Sequence, residues 1–202
     1  MGNGKIIWSA PERKSLILGD IYYLTLDDSN FNMDTSDFAV DALVKTYDVS
    51  DPWVLVVGKG PDILDNGRGW NIWINGIDKY VRAEINDGQP TAQYVTTDEN
   101  SFQFGEWIWL RVAFDRDGDL TIWINGNVAA SGSISGRQGS VNNNDPLFAG
   151  AHEIGLLRID KGRLLDADYV AREWQRLQYG LSPRPQDFLA VWLFNGTLVD
   201  ES

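Results

Sequence analysis

The chain has 202 residues, 20 glycines, nine tryptophans, no cysteine and a formal net charge of −12 at pH 7. This length is enough for one domain with a sizeable core, and the absence of cysteine excludes disulfides and thiolate chemistry. The acidity argues against partners that require a basic face, such as nucleic acid and an anionic membrane surface.

Short runs of β-branched and aromatic residues between glycine-containing turns predict β-strands along most of the chain. In residues 38–45 the even-numbered positions are apolar and share one face, while Asp41, Leu43 and Lys45 share the other. This pattern favours an all-β sandwich. One predicted strand lies within residues 16–26, with 22–26 as its strongest part. The other predicted strands are residues 5–8, 38–45, 53–57, 70–75, 79–86, 94–97, 107–114, 120–124, 146–150 and 154–159.

The most informative stretch is residues 105–126, which predicts a β-hairpin. Its two apolar runs are separated by Asp117-Gly118, a strong turn signal because glycine adopts positive φ without steric cost. Asn125-Gly126 then supplies a second tight turn, so the span has no room for a helix.

The end of the chain breaks the β pattern. Residues 129–145, rich in glycine, serine and asparagine, predict a loop. The spacing of Val170, Trp174 and Leu177 forms one apolar stripe and predicts a helix over residues 166–179.

The hairpin also carries a family pattern: a tryptophan, a Val-Ala pair, an aromatic residue before aspartate, a glycine turn, and a strand closing on Asn-Gly. In this chain these elements are Trp109, Val112-Ala113, Phe114-Asp115, Gly118 and residues 122–126. The pattern resembles the central hairpin of laminin-G-like domains in the concanavalin A-like lectin and glucanase superfamily. The resemblance implies a two-sheet antiparallel jelly-roll sandwich with one short C-terminal helix.

The two ends match this family in swapped order. Residues 192–202, WLFNGTLVDES, resemble the motif that opens such domains, whereas this chain begins with Met-Gly-Asn-Gly. We therefore expect one domain over residues 1–202, circularly permuted, with a main body at 5–180 and a strand within 187–202 that completes the sandwich. The alternative is that residues 187–202 begin a following domain.

The sequence does not favour catalysis. The single histidine, His152, has no nucleophile motif near it, and the paired-carboxylate pattern of the superfamily's glycosidases is missing. We expect a non-catalytic protein. A glycoside hydrolase remains an alternative that would need a carboxylate pair in a cleft.

Calcium is the one cofactor that the sequence suggests, because aspartate oxygens are suitable ligands. Related domains often carry one structural Ca²⁺, which the resemblance places at Asp200, and Ile154-Gly155-Leu156 departs from the family's usual acidic wording. The candidate ligands are Asp200, Asp27, Asp28 and Asp145.

Carbohydrate binding is the family's commonest use. Sugars stack their C–H faces on aromatic rings, and their hydroxyl groups bond to amides and backbone groups. The candidate ligand-binding residues are Trp53, Trp70, Trp73, Tyr94, Asn142 and Asn143.

These observations favour a non-catalytic module that binds glycans or cell-surface ligands. The alternative is a structural protein of a virion surface, a capsid decoration or tail component, which contacts other virion proteins or forms a homo-oligomer. The first 20 residues do not form a signal peptide and no apolar run could insert in a membrane. We expect an extracellular or virion-surface location reached without classical secretion.

Overall fold

The computed structural model describes residues 16–17, 24–26, 31–48, 52–60, 67–150, 153–162, 164, 166–179 and 190–193. These residues contain thirteen strands and one helix. The elements are β1 (Leu16–Ile17), β2 (Leu24–Leu26), β3 (Phe38–Lys45), β4 (Trp53–Lys59), β5 (Arg68–Asn75), β6 (Tyr80–Asp87), β7 (Gln93–Thr96), β8 (Trp107–Phe114), β9 (Asp119–Ile124), β10 (Asn127–Ser133), β11 (Leu147–Ala149), β12 (Glu153–Lys161), α1 (Ala167–Gln178) and β13 (Ala190–Leu193).

The strands form two sheets with antiparallel pairing throughout. The first sheet has the order β1-β12-β3-β8-β9-β10, with β13 also paired to β12, and the second has the order β2-β11-β4-β5-β6-β7. The two sheets enclose one large apolar core. This arrangement confirms the predicted two-sheet antiparallel sandwich with one short helix.

The core follows from the period-two alternation of the strands. In β3 the even-numbered apolar residues lie in the core between the sheets, as predicted. Phe38 stacks on Phe114 of β8 with ring centres 4.3 Å apart, and Trp70 of β5 lies 5.3 Å from Phe38 across the core. Large rings from both sheets therefore fill the space between them.

Helix α1 covers the outer face of the first sheet. Its N-cap is Asp166, whose side chain accepts a hydrogen bond from the Tyr169 amide, a common way to satisfy the first turn. Val170 is fully buried, and Trp174 stacks on Trp109 of β8 at 6.0 Å with the ring planes nearly parallel. Within the described residues no helix is long and apolar enough to cross a membrane.

A buried ionic network fixes α1 to the sheet. The Asp41 carboxylate of β3 lies 2.9 Å from Arg111 Nη1 and 2.8 Å from Arg158 Nη2. Arg158 Nη1 also lies 2.9 Å from Glu173 Oε2 of the helix. All four side chains are almost completely buried. The two cations and two anions of these buried side chains compensate one another, as charges kept away from water require, and the partly exposed Arg176 also lies 3.3 Å from Glu173.

The prediction of a loop over residues 129–145 is wrong for its first residues, because β10 occupies Asn127–Ser133 and pairs with β9. Apart from the exposed Val128, its residues are small or polar, and all of them are half-buried or exposed, as suits an edge strand. Composition favoured a loop, but the tight turn at Asn125-Gly126 brings this segment back alongside β9.

The C-terminal segment contributes a strand to the first sheet. β13 pairs with Leu156–Ile159 of β12, next to the two residues of β1 that pair with Glu153 and Ile154. Residues 5–8, a predicted strand, lie outside the described residues. The circular permutation and the single-domain boundary stay predictions.

Candidate ligand-binding face

Among the described residues no helix covers the outer face of the second sheet, since α1 lies on the first sheet. Alternation in β4 to β7 sends one set of side chains into the core and the other set outward. The outward set contains four aromatic rings and one ion pair. We call it the aromatic face and define it by Trp53, Trp73, Tyr80, Arg82, Glu84 and Tyr94.

The strand register brings these residues together. Trp73 of β5 is opposite Arg82 of β6, and Glu84 of β6 is opposite Tyr94 of β7. Directly opposite residues on neighbouring strands share a face and lie in contact distance. The cluster therefore depends on pairing between β5, β6 and β7, all of which are hairpin neighbours.

The aromatic rings of this face are arranged edge to face. Trp53 is nearly perpendicular to Trp73, with ring centres 6.5 Å apart, and nearly perpendicular to Tyr80 at 5.7 Å. Such T-shaped contacts are favourable because the positive edge of one ring meets the negative face of the other. Tyr94 is 57% exposed, while the other three rings are half-buried. Trp53, Trp73 and Tyr80 are thus held by one another, and all four rings still reach solvent.

Arg82 lies between two of the rings. Its guanidinium carbon is 4.0 Å from the centre of the Tyr94 ring and 5.8 Å from that of Trp53, within the range of cation–π attraction. Its side chain is 21% exposed. The guanidinium therefore packs against the aromatic surface, and the side chain stays partly accessible to solvent.

Glu84 holds this arrangement from below. Its Oε2 lies 2.9 Å from Arg82 Nη2, and its Oε1 accepts a hydrogen bond of 2.9 Å from the indole Nε1 of Trp73. Asn71 Nδ2 is a further, longer donor at 3.5 Å. The Glu84 side chain is only 4% exposed, so it orients Arg82 and Trp73 and is itself shielded from solvent.

The structure unites three of the four predicted aromatic ligands, Trp53, Trp73 and Tyr94, in this face. Trp70 was wrongly included: it is 1% exposed and packs against Phe38 in the core. It has the opposite parity to Trp73 on the same strand, so its side chain must point inward when that of Trp73 points outward.

The predicted asparagines serve the loop that carries them. Asn142 Oδ1 accepts the Asp34 amide at 2.7 Å. Asn143 Nδ2 donates to the Arg68 carbonyl at 2.6 Å, and its Oδ1 accepts the Asp145 amide at 2.9 Å. These amides therefore help to hold the loop, and their role in ligand binding stays a prediction.

Sequence reasoning missed Tyr80, Arg82 and Glu84. The signal was present in β6, where these polar and aromatic residues alternate with the buried Val81, Ala83 and Ile85. The partners of Glu84 are Trp73 on the neighbouring strand and Arg82 two residues earlier on its own strand. Their common role becomes apparent only from the pairing of the strands.

Three predicted calcium ligands, Asp27, Asp28 and Asp200, lie outside the described residues, and Asp145 is an exposed loop residue whose carbonyl accepts Lys59 Nζ. The predicted calcium ion stays a prediction. The structure instead brings together carboxylate oxygens of Asp37, Asp115 and Asp117, all within 4.8 Å of one another.

These three aspartates surround the β8–β9 turn. The Asp115 carbonyl accepts the Gly118 amide at 3.1 Å, as expected of turn residues, and Asp37 Oδ1 accepts the Arg116 amide at 2.8 Å. Burial raises the pKa of Asp115, and its hydrogen bond with Asp117 and the negative charge of Asp37 act in the same direction. The cluster is therefore a site of carboxylate repulsion in the folded chain.

The sheet order and the helix-covered first sheet define a jelly-roll β-sandwich with an open aromatic face. A laminin G family model, described as the concanavalin A-like lectin/glucanases superfamily, matches residues 19–164. The chain belongs to this superfamily. No curated protein sequence matches it significantly.

Solved structures with a similar fold include three toxin domains. The binding domain of Paraclostridial Mosquitocidal Protein 1 has a TM-score of 0.58 and 18% identity over 77% of this chain and 43% of that one. The binding domain of botulinum neurotoxin serotype G has a TM-score of 0.57 and 16% identity, over 81% of this chain and 42% of that one. The receptor binding domain of botulinum neurotoxin D has a TM-score of 0.56 and 11% identity, over 77% of this chain and 41% of that one. The match thus spans about two-fifths of those chains, and at these identities it shows a shared fold.

Proposed function

We propose that this chain is a non-catalytic binding module that recognises carbohydrate on the aromatic face. The observation that carries the proposal is the position of Arg82 between the rings of Tyr94 and Trp53, at 4.0 and 5.8 Å. Sugar rings stack their apolar C–H faces on such aromatic surfaces, while a guanidinium donates hydrogen bonds to hydroxyl oxygens. The face therefore combines the two kinds of contact that a sugar requires.

Two further points support a binding role over catalysis. Both carboxylate oxygens of Glu84 are engaged, one by Arg82 and one by Trp73, so this residue positions the face and is not set up as a general acid. The similar solved structures are described as binding or receptor-binding domains. A cell-surface glycan as the ligand fits an extracellular or particle-surface location for this chain.

A glycan array tests this proposal. Fluorescently labelled full-length chain should bind a restricted set of oligosaccharides, and free oligosaccharide should compete with that binding. Absence of binding to any glycan would contradict it. If the same preparation then formed stable oligomers, the virion-assembly alternative would be favoured.

A further inference from the structure

We infer that the Arg82–Glu84 pair makes the aromatic face selective for uncharged glycans, and that Glu84 is the residue that determines this selectivity. The inference rests on the proposed carbohydrate function. It adds the chemical class of the ligand and a specificity role for a buried side chain that does not touch the ligand.

The charge of the aromatic face favours an uncharged ligand. Among the described residues of β4 to β7 that point outward, Arg82 and Glu84 are the charged ones, and their side chains are 2.9 Å apart. The remaining outward positions are aromatic, amide, hydroxyl or apolar. The face is therefore locally neutral, in a chain whose net charge is −12. An anionic glycan gains little from a compensated cation and is repelled by the rest of the molecule.

The hydrogen-bond donors and acceptors of Arg82 and Glu84 also favour an uncharged ligand. Glu84 accepts from Arg82 and from Trp73, so both of its oxygens are engaged within the protein. The guanidinium has five N–H donors in all, and the partly exposed Arg82 retains donors for hydroxyl or ring oxygens. A carboxylate or sulfate on the ligand would instead compete with Glu84 for the same guanidinium and would place two anions close together.

The substitution Glu84→Gln removes the negative charge of this side chain with little change in its shape. The glutamine carbonyl can still accept the Trp73 indole, so the ring stays in position. Arg82 then has no carboxylate partner at this point and remains between its two rings as an uncompensated cation. The face should switch its preference toward acidic glycans.

The experiment compares wild type with Glu84→Gln on matched neutral and acidic oligosaccharides, the latter carrying a uronate or a sulfate. Wild type should prefer the neutral series, and its Kd should be nearly constant from about 0.05 to 0.5 M NaCl, because uncharged ligands are not screened. Glu84→Gln should bind the acidic series about tenfold or more tightly than wild type does, since hydrogen bonds to charged groups are the stronger ones. That gain should decline at high salt.

Two controls separate local charge from other effects. Glu106→Gln removes the same charge at an exposed residue ahead of β8 and should leave the preference unchanged. Arg82→Gln combined with Glu84→Gln should abolish the gained binding to acidic glycans. The salt titration of wild type needs no variant and stands even where Glu84→Gln fails to fold.

The contradicting results are distinct. Wild type that prefers acidic glycans with strongly salt-dependent affinity would overturn this inference and leave the proposed carbohydrate function intact. A folded Glu84→Gln with the wild-type preference would do the same. Wild type that binds no glycan of either series would contradict the proposed function, and this inference with it.

Discussion

The guanidinium carbon of Arg82 lies 4.0 Å from the centre of the Tyr94 ring. The two residues come from neighbouring strands of one sheet, and Glu84 Oε2 lies 2.9 Å from Arg82 Nη2. A cation that contacts both a carboxylate and a ring has little freedom to move. The face is thereby organised before any ligand arrives, which lowers the entropic cost of binding.

The ionic network under α1 is expected to be critical for stability. Asp41→Asn leaves Arg111 and Arg158 buried without their shared carboxylate, and breaking a buried pair costs about 3–5 kcal/mol. Urea unfolding should show this loss of free energy of unfolding. Arg172→Gln, an exposed change on the same helix, should change it by less than about 0.5 kcal/mol. Equal stability of the two variants would show that the network contributes nothing.

The close approach of α1 to the β9–β10 turn can be measured with two glycine variants. Gly126 and Gly105 both have positive φ, +80° and +74°, so alanine at either costs about 1–2 kcal/mol in backbone strain. A Cβ at Gly126 would also lie 2.8 Å from the Trp174 side chain, whereas nothing lies within 4 Å at Gly105. Gly126→Ala should therefore lower the melting temperature more than Gly105→Ala. The reverse order would contradict this packing.

The raised pKa of Asp115 has a predictable effect on stability. Burial is the main cause, followed by Asp117 and Asp37, and a raised pKa means that the folded state holds the proton more tightly than the unfolded state does. The resulting stabilisation is present below the unfolded pKa and is lost as pH rises through the folded pKa. Asp115→Asn should thus melt higher than wild type at neutral pH, and this gain should shrink toward about pH 4.

Thermal melts over a pH series check this expectation, with the exposed loop change Asp98→Asn as the charge-matched control. A variant Asp115→Asn that is less stable than wild type at neutral pH would show that the carboxylate is stabilised in the fold, for example by a bound cation.

The C-terminal strand should be part of the stable unit. Deleting residues 187–202 removes β13 and leaves the Leu156–Ile159 edge of β12 without that partner, which favours edge-to-edge aggregation. The melting temperature should fall by several degrees and size-exclusion chromatography should show aggregates. A truncated chain that melts like wild type and stays monomeric would assign these residues to a following domain.

The chain contains two similar hexamers, NIWING at residues 71–76 and TIWING at residues 121–126. They show which features of the fold can be predicted from the sequence. Alternation predicts that Trp73 and Trp123 both point away from the core, and both do. Trp123 is nevertheless buried while Trp73 reaches solvent, because α1, more than forty residues later, packs on the outer face of the first sheet. Local patterns thus predicted strands such as β3 and β8, but which outward tryptophan stays open depends on long-range packing.

The same limit applies to the candidate site. Trp53, Trp73 and Tyr94 were identified from residue type and neighbouring loops, while Trp70 was misplaced because parity along β5 was not applied. Arg82 and Glu84 gain their role only through the register of β5, β6 and β7. Cross-strand register is set by turns and by the whole sheet, so a single strand's sequence does not reveal it.

The central claim is that the aromatic face binds carbohydrate, and the most direct measurement is the calorimetric Kd for a neutral oligosaccharide in wild type and three variants. Tyr94→Ala and Trp53→Ala should each weaken binding about three- to tenfold, because each removes one ring contact of about 0.5–1.5 kcal/mol. Tyr179→Ala removes an 80% exposed ring at the end of α1 and should bind like wild type. Equal affinity in all four proteins would contradict the claim and place the ligand elsewhere on the molecule.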